Sequence, residues 1–222
     1  MSKITHFALG LMGKLRPRPA VGPGENSLTL PPPLRQGGLP LMDALAQRHS
    51  TRDFKMEALP LQVLSSLLWA GWGINRPDGK RTAPSALDGQ EIDVYVALPS
   101  GAYLYDAKAH ALHLAAASDV RRVTGFQDFV DNAPLDLVFV VDHTRMKLVP
   151  VQDRERYAHV AAGAIAQNVA LFAASAGLGT VVRAWLDRPA LAEALMLTHD
   201  QQVLVAQTVG FPSDRPQDNE SR

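Results

Sequence analysis

Charged and hydrogen-bonding side chains alternate along the chain between residues 48 and 52. Arg48, Ser50 and Arg52 are each separated by one residue. In an extended chain alternate side chains point to the same side, so two guanidinium groups and a hydroxyl would converge on one point. Guanidinium groups match phosphate oxygens in both charge and donor geometry. The pattern predicts a phosphate site, and a solvated basic edge paired with Asp53 is the alternative interpretation.

Two glycine-containing segments resemble nucleotide-binding loops but lack residues that such loops need. Residues 177–182 begin as Gly-Leu-Gly, but they follow a predicted helix and end in Val182, whereas a dinucleotide fingerprint follows a strand and ends in a small residue. In residues 73–80 five residues separate the two glycines, where a P-loop has four, and Arg81 replaces the Ser or Thr that would bind magnesium. We therefore predict neither a Rossmann nor a P-loop site.

The amino-acid composition excludes several kinds of catalytic and metal-binding site. The 222 residues include no cysteine, which excludes disulfides, thiolate metal sites and cysteine nucleophiles. Among the seven histidines only His110 and His113 are close neighbours, and two histidines without a third ligand seldom hold zinc. We predict no bound metal.

The net charge and the hydropathy of the chain argue against nucleic acid and membranes as partners. The 22 basic and 22 acidic residues cancel, so no overall positive field is available to hold nucleic acid. The sequence contains no run of 18 apolar residues, so no membrane-spanning helix is predicted. The apolar segment Phe7–Gly13 is short for a signal peptide, which favours a cytoplasmic location.

Hydrophobic periodicity predicts an α+β fold, because helices and strands are mixed without strict β-α-β alternation. The predicted helices cover residues 41–48, 60–73, 152–176 and 189–196. The predicted strands cover 92–98, 102–105, 111–114, 137–141, 180–183 and 202–210.

Local composition divides the chain into three parts. Residues 1–40 are rich in proline and glycine and carry five basic residues against one acid, so we expect an extended arm laid over a partner subunit or a disordered leader. Residues 41–212 should form the folded domain. Residues 213–222 read as a polar tail.

Four sequence blocks, in order, resemble the nitroreductase family. They are Arg-His-Ser-Thr-Arg-Asp-Phe from residue 48, Arg-Thr-Ala-Pro-Ser-Ala from 81 with Gln90, Ala-Gly-Leu-Gly-Thr from 176, and Val-Gly-Phe-Pro from 209. Each block alone is weakly specific, but together they span most of the predicted domain. The second block most resembles the branch that includes azoline-oxidising enzymes of peptide maturation.

The resemblance implies an intertwined homodimer with a mostly antiparallel sheet and an FMN at each subunit interface. It also implies residues that hold the cofactor. The phosphate and ribityl chain would contact Arg48, His49, Ser50, Arg52 and, near the chain end, Arg215. The flavin ring would contact Pro84, Ser85 and Ala86 of the other subunit, Gln127, and backbone N–H groups of Val182, Arg183 and Ala184.

By the same resemblance, the protein would pass electrons from NADH or NADPH through FMN to an electron-poor acceptor such as a nitro compound or a quinone. Two alternatives stay open at this point. An azoline oxidase would move electrons from a heterocycle to oxygen, and it would need a Lys and a Tyr as base. A non-catalytic relative would bind flavin, or have lost it, and serve as an interaction module.

Overall fold

The computed structural model describes residues 3–22 and 24–213 of the chain. Its main element is a seven-stranded sheet with the order β2-β5-β4-β3-β7-β9-β8, in which every neighbouring pair is antiparallel. A two-stranded ribbon pairs β1 with β6. The strands are β1 (Arg18–Pro19), β2 (Ser27–Thr29), β3 (Ile92–Leu98), β4 (Gly101–Asp106), β5 (Ala111–Ala116), β6 (Ser118–Asp119), β7 (Leu135–Asp142), β8 (Gly179–Arg183) and β9 (Gln201–Gly210).

Helices cover both faces of this sheet. They are α1 (Lys3–Leu11), α2 (Leu41–Gln47), α3 (Leu61–Trp72), α4 (Val151–Ser175) and α5 (Arg188–Ala194). The elements that periodicity predicts between residues 41 and 210 are confirmed, with ends that move by at most about two residues. The predicted α+β fold with an antiparallel sheet is likewise confirmed.

Residues 137–141 of strand β7 are continuously apolar because helices cover the strand on both sides. Leu137 and Phe139 belong to the core cluster that includes the buried side of α4. Val138 and Val140 belong to a second cluster with Leu191 of α5. Since side chains alternate between the faces of a strand, the sheet is the middle of three layers.

Helix α4 is the central helix of the first layer. Pro150 precedes it, and Gly177, at φ 69°, ends it while the N–H of Leu178 donates to the carbonyl of Ala173 at 2.8 Å. The helix is long and apolar enough to cross a membrane by length and composition, but its apolar side forms part of the protein core. Its buried residues are mostly alanines, which let the sheet and α3 approach closely: Ala158, Ala161, Ala162, Ile165, Ala166, Val169, Ala170 and Ala173.

The first forty residues contain more regular structure than the predicted arm. Residues 3–11 form α1, and β2 adds a strand to the edge of the main sheet. The imidazole of His6 is 2% exposed, and its Nε2 lies 3.1 Å from the carbonyl of Gly125. Composition argues against order here, but long-range contacts of this kind stabilise the helix and cannot be read from local sequence.

The proline-rich stretch between β2 and α2 is extended and lies on α3 of its own chain. The N–H of Leu34 donates to Ser66 Oγ at 3.0 Å, and Gln62 Nε2 donates to the carbonyl of Pro32 at 2.9 Å. This stretch therefore belongs to the monomer rather than to a partner. The division at residues 40 and 212 stays a prediction.

Candidate functional site

The predicted phosphate segment lies along the outer edge of β8. The N–H of Thr51 donates to the carbonyl of Thr180 at 2.9 Å, and Ser50 forms a parallel bridge with the same residue. A Cβ on Gly179 would fall 2.6 Å from Thr51 Cγ2, so a glycine is needed where the two segments cross. The first and third sequence blocks are thus in direct contact.

The fourth block joins them from the end of β9. Phe54 bridges to Pro212, and the N–H of Lys55 donates to the carbonyl of Phe211 at 2.9 Å. The N–H of Ser213 then donates to the carbonyl of Asp53 at 3.1 Å. Three of the four blocks therefore meet at one corner of the sheet. The predicted contact Arg215 lies outside the described residues.

In residues 50–52 the middle side chain is buried and its two neighbours are exposed. Thr51 is buried at 2% exposure, whereas Ser50 and Arg52 on either side of it are exposed, and Arg48 is half-buried. Among the residues that the structure describes, the side chains of Arg48 and Arg52 make no hydrogen bond or ion pair, so the alternative pairing with Asp53 is not formed. Two unpaired guanidinium groups beside a free hydroxyl have the chemistry of an anion site.

His49 also belongs to this exposed surface. Its Nδ1 lies 2.8 Å from the carbonyl of Gln47, which fixes the ring against the end of α2. The second ring nitrogen has no hydrogen bond among the described residues.

Strand β8 is the last strand of the sheet, and its outer edge is open beyond Thr180. Because the carbonyl of Thr180 points outward to Thr51, the residue two positions on, Val182, presents its N–H and C=O to the same side. Ala184 follows at the next such position. The backbone groups of Arg183 face β9, where it pairs with Ala206. Of the three predicted backbone donors, this geometry favours Val182 and Ala184 over Arg183.

The side chain of Arg183 lies in the core and not at the site surface. It is 5% exposed and pairs with the buried carboxylate of Asp136. It also donates to Thr208 Oγ1 at 2.7 Å and to the carbonyl of Thr124. Its positive charge is neutralised there, so we expect Arg183→Ala to destabilise the fold by leaving Asp136 unpaired, rather than to act mainly on turnover.

Gln127 approaches the same place from the segment after β6. A Cβ on Gly125 would fall 2.0 Å from Arg183 Nη1 and 2.9 Å from Gln127 Oε1, so both side chains converge on this glycine. Gln127 Oε1 is buried without a hydrogen-bond partner among the described residues. The structure thus places Gln127 behind β8, next to the Arg183 pair.

The loop with Pro84, Ser85 and Ala86 lies beside α4. Among the described residues, no hydrogen bond or ion pair connects it with residues 48–52. Asn168, in the middle of α4, contacts its start by donating to the carbonyl of Thr82 at 3.3 Å. Among the described residues, polar contacts therefore join the other three blocks to one another but do not join the second block to residues 48–52.

This loop is held in a strained conformation. Leu87, Asp88 and Gln90 have φ values of 50°, 56° and 48°, in the left-handed region that non-glycine residues avoid. Arg81 Nε donates to Gln90 Oε1 at 2.7 Å, and Arg145 Nη1 donates to the Gln90 carbonyl at 2.9 Å. Such strain persists only when surrounding contacts impose it, and it often marks a functional loop. Leu87 is 68% exposed at its tip.

One further cluster resembles a nucleophile and base pair. Ser65 Oγ lies 2.8 Å from His110 Nε2, and Tyr105 Oη lies 3.0 Å from His110 Nδ1. Ser65 has no exposed surface, and its hydroxyl donates to the carbonyl of Pro31 at 2.5 Å. The cluster fastens the proline-rich stretch to α3 and has no access for a substrate.

Sequence reasoning, which kept Trp185 as a minor candidate for contact with the flavin, missed Asp136, His6 and the rings of Phe7 and Phe126 beside Trp185. Asp136 had a visible signal, since it is an acid directly before a continuous apolar run. His6 had none, because its partner is more than a hundred residues away. Among residues 3–22 and 24–213 no group of three potential metal ligands is present.

The model of the Nitroreductase family matches residues 45–211 of this chain. The chain belongs to the nitroreductase family. A candidate nitroreductase of Methanocaldococcus jannaschii is 32% identical over 151 residues, which are 64% of this chain and 76% of that relative. The predicted nitroreductase-like fold and the assignment to the oxidoreductase enzymes are thereby confirmed.

Solved structures of nitroreductase-like proteins share this architecture. A candidate nitroreductase from Ralstonia eutropha JMP134 is 52% identical, with a TM-score of 0.87 over 90% of this chain and 96% of the other. The NADPH:FMN oxidoreductase of Vibrio harveyi, solved with NAD+, is 22% identical, with a TM-score of 0.59 over 82% of this chain and 72% of the other. At that identity the second comparison concerns the fold alone.

Proposed function

We propose that this nitroreductase is an FMN-dependent enzyme that passes electrons from NADH or NADPH to an electron-poor acceptor, such as a quinone or a nitro compound. The observation that carries the proposal is the pair of unpartnered guanidinium groups, Arg48 and Arg52, beside the exposed hydroxyl of Ser50 at the open edge of β8. The structurally similar Vibrio harveyi protein is named for the same two cofactors, NADPH and FMN.

The residues present fit FMN at both of its ends. Arg48, Ser50 and Arg52 supply charge and donors for the phosphate. Val182 and Ala184 offer N–H groups at the edge of β8, where a polar ring edge can accept hydrogen bonds. Thr180 lies beside Ser50. At the rise per residue of a strand, Thr180 and Ala184 are about 13 Å apart, so the cofactor would lie along β8.

When bound, FMN supplies the redox chemistry, accepting electrons from the nicotinamide and passing them to the acceptor. The overall reaction balances without a protein acid or base. NAD(P)H loses two electrons and one proton, solvent supplies a second proton, and a quinone becomes a hydroquinone. The protein's own part is to bind, orient and shield the reactants.

A homodimer is part of the proposal. Among the described residues, the strained loop around Pro84–Ala86 makes no hydrogen bond or ion pair with residues 48–52 of its own chain, so we propose that it completes the site of a second copy. Apolar side chains exposed on α2 and on the first half of α4 provide a surface for that contact: Leu41, Met42, Leu45, Val151, Tyr157 and Val160. An obligate interface should bury more than about 2,000 Å², and sedimentation that shows a stable, FMN-loaded monomer would contradict it.

A cytoplasmic location completes the proposal, because NADH and NADPH are found there. No observation specifically favours the azoline-oxidising branch. Lys80, its candidate base, lies 3.1 Å from Asp78 in an exposed ion pair.

Initial-rate kinetics test the electron-transfer function. The protein is reconstituted with FMN, and NADPH oxidation is followed at several fixed concentrations of menadione. The nicotinamide must leave before the acceptor enters a single shared pocket, so double-reciprocal plots should be parallel. Intersecting lines would contradict the one-pocket account, and no oxidation of either NADH or NADPH would contradict the function.

A further inference from the structure

An aromatic cluster borders the end of β8, directly after the proposed flavin contacts. Trp185 follows Ala184 and is 49% exposed, a large exposure for a tryptophan in a folded chain. The ring of Phe7 lies 5.0 Å from it at 86°, and the ring of Phe126 lies 5.6 Å from it at 72°. The three side chains come from α1, from the segment after β6 and from the end of β8.

Helix α1 is fixed in place by a second set of contacts. His6 reaches the carbonyl of Gly125, and its Nδ1 lies 3.4 Å from a carboxylate oxygen of Asp131. Arg18 Nη2 contacts the same oxygen at 2.5 Å. A Cβ on Gly10 would fall 2.4 Å from the Phe126 ring, so the helix packs tightly on this segment. Phe7 therefore has a defined position beside Trp185.

This arrangement combines the family core with a segment outside it. The match to the Nitroreductase family begins at residue 45, whereas Phe7 and His6 precede that match. The N-terminal helix thus contributes an aromatic side chain next to the strand that the proposed function assigns to the flavin. A ligand that reacts beside Ala184 would meet Trp185 as the next residue of the chain.

We propose that Trp185, supported by Phe7, is a specificity-determining residue that stacks against the ring of a flat aromatic acceptor. The inference rests on the proposed function, because it assumes that acceptors react beside Ala184. Aromatic rings favour offset or edge-to-face contact with another ring, and a half-exposed indole held by two neighbours is pre-organised for that contact. An acceptor without a ring gains nothing from it.

The test compares two acceptors in the FMN-reconstituted enzyme. Menadione is the flat aromatic acceptor, and ferricyanide is the acceptor without a ring; NADPH is the reductant for both. Trp185→Leu keeps apolar volume without a ring, and Trp185→Phe keeps a ring. The ratio of kcat/KM for menadione to that for ferricyanide should fall about two- to tenfold in Trp185→Leu, mostly through KM. In Trp185→Phe the ratio should stay near the wild-type value.

A binding measurement provides a readout that does not depend on turnover. Equilibrium dialysis of menadione without NADPH should give a Kd that rises by a similar factor in Trp185→Leu. Phe7→Leu, on a different element, should move both readouts in the same direction by a smaller factor. Leu11→Ala is the matched control, since Leu11 is 60% exposed on the same helix and has no recorded contact with the cluster.

The outcomes separate this inference from the proposed function. Wild-type protein that binds no FMN, or oxidises no NADPH with either acceptor, would overturn the function itself. If the wild type binds FMN and is active, but its acceptor ratio and menadione Kd match those of Trp185→Leu, only the proposed role of Trp185 would be overturned. If Trp185→Leu fails to fold, Phe7→Leu is the variant that tests the inference. An unchanged acceptor ratio and an unchanged menadione Kd in Phe7→Leu would overturn it.

Discussion

The guanidinium group of Arg183 lies directly against Gly125, where a Cβ atom would fall 2.0 Å from Nη1. Through this contact β8 is locked to the segment that carries Gln127 and that receives His6 from α1. The inner side of the candidate site is thus a buried polar network, whereas its outer side is the open edge of the strand.

Gly125→Ala should destabilise the fold because the new methyl group displaces Arg183 from its pair with Asp136. We expect a loss of about 1–3 kcal/mol from overpacking alone, and more if the ion pair breaks. Urea denaturation at one fixed protein concentration measures it. Equal stability of wild type and Gly125→Ala would refute the close contact.

Ala184→Pro should weaken FMN binding by removing one backbone donor at the edge of β8. Proline is tolerated on an edge strand when its missing N–H faces outward, so the fold should persist. Loss of one hydrogen bond predicts a Kd about two- to tenfold higher in a flavin fluorescence titration. Ala184→Ser keeps the N–H and serves as the control. If the two variants bind FMN equally, Ala184 is not a donor to the ring.

Docking of α1 should depend on pH through His6. Burial disfavours the charged imidazole, but the carboxylate of Asp131 at 3.4 Å and the hydrogen bond to the Gly125 carbonyl outweigh burial and the opposing charge of Arg122, so the pKa of His6 is raised. The stabilisation is therefore complete below about pH 6.5, the value for the unfolded chain, and is lost as pH rises through the folded pKa.

Thermal unfolding of wild type and His6→Gln checks this sign. The difference in Tm between them should be largest near about pH 5.5 and should shrink towards about pH 8.5. His199→Gln is a suitable control, because the His199 side chain is 91% exposed and its ion-pair partner is the neighbouring Asp200. A difference that is constant over this range would mean that His6 acts only by packing.

Periodicity predicted the elements of residues 41–210 well because burial there follows a regular pattern. The apolar run in β7 and the alanine-rich α4 are each set by contacts on defined faces. No regular pattern of apolar residues predicts helix α1. It is short, it sits among glycines and prolines, and what holds it is the contact of His6 with a loop far along the chain.

The candidate site was predictable where local geometry decides it. The alternation at Arg48, Ser50 and Arg52 holds because Thr51 is anchored to Thr180 and turns its neighbours outward. The role of Arg183 was not predictable from the sequence, because a strand sequence does not reveal which of its residues face the open edge. The role of Pro84–Ala86 depends on a second copy of the chain, which a single sequence pattern cannot position.

The most direct test of the account is an FMN titration of the apoprotein, read as quenching of flavin fluorescence. Wild type should bind FMN at micromolar concentration and remain yellow after desalting. Arg48→Ala and Arg52→Ala should each raise the Kd about ten- to a hundredfold by removing a charge-assisted contact, and the double variant should be largely free of flavin. Lys108→Ala, at an exposed turn between β4 and β5, should bind as wild type does. Wild type that takes up no FMN, or a double variant that binds it as tightly as wild type, would contradict the phosphate site on which the proposed function rests.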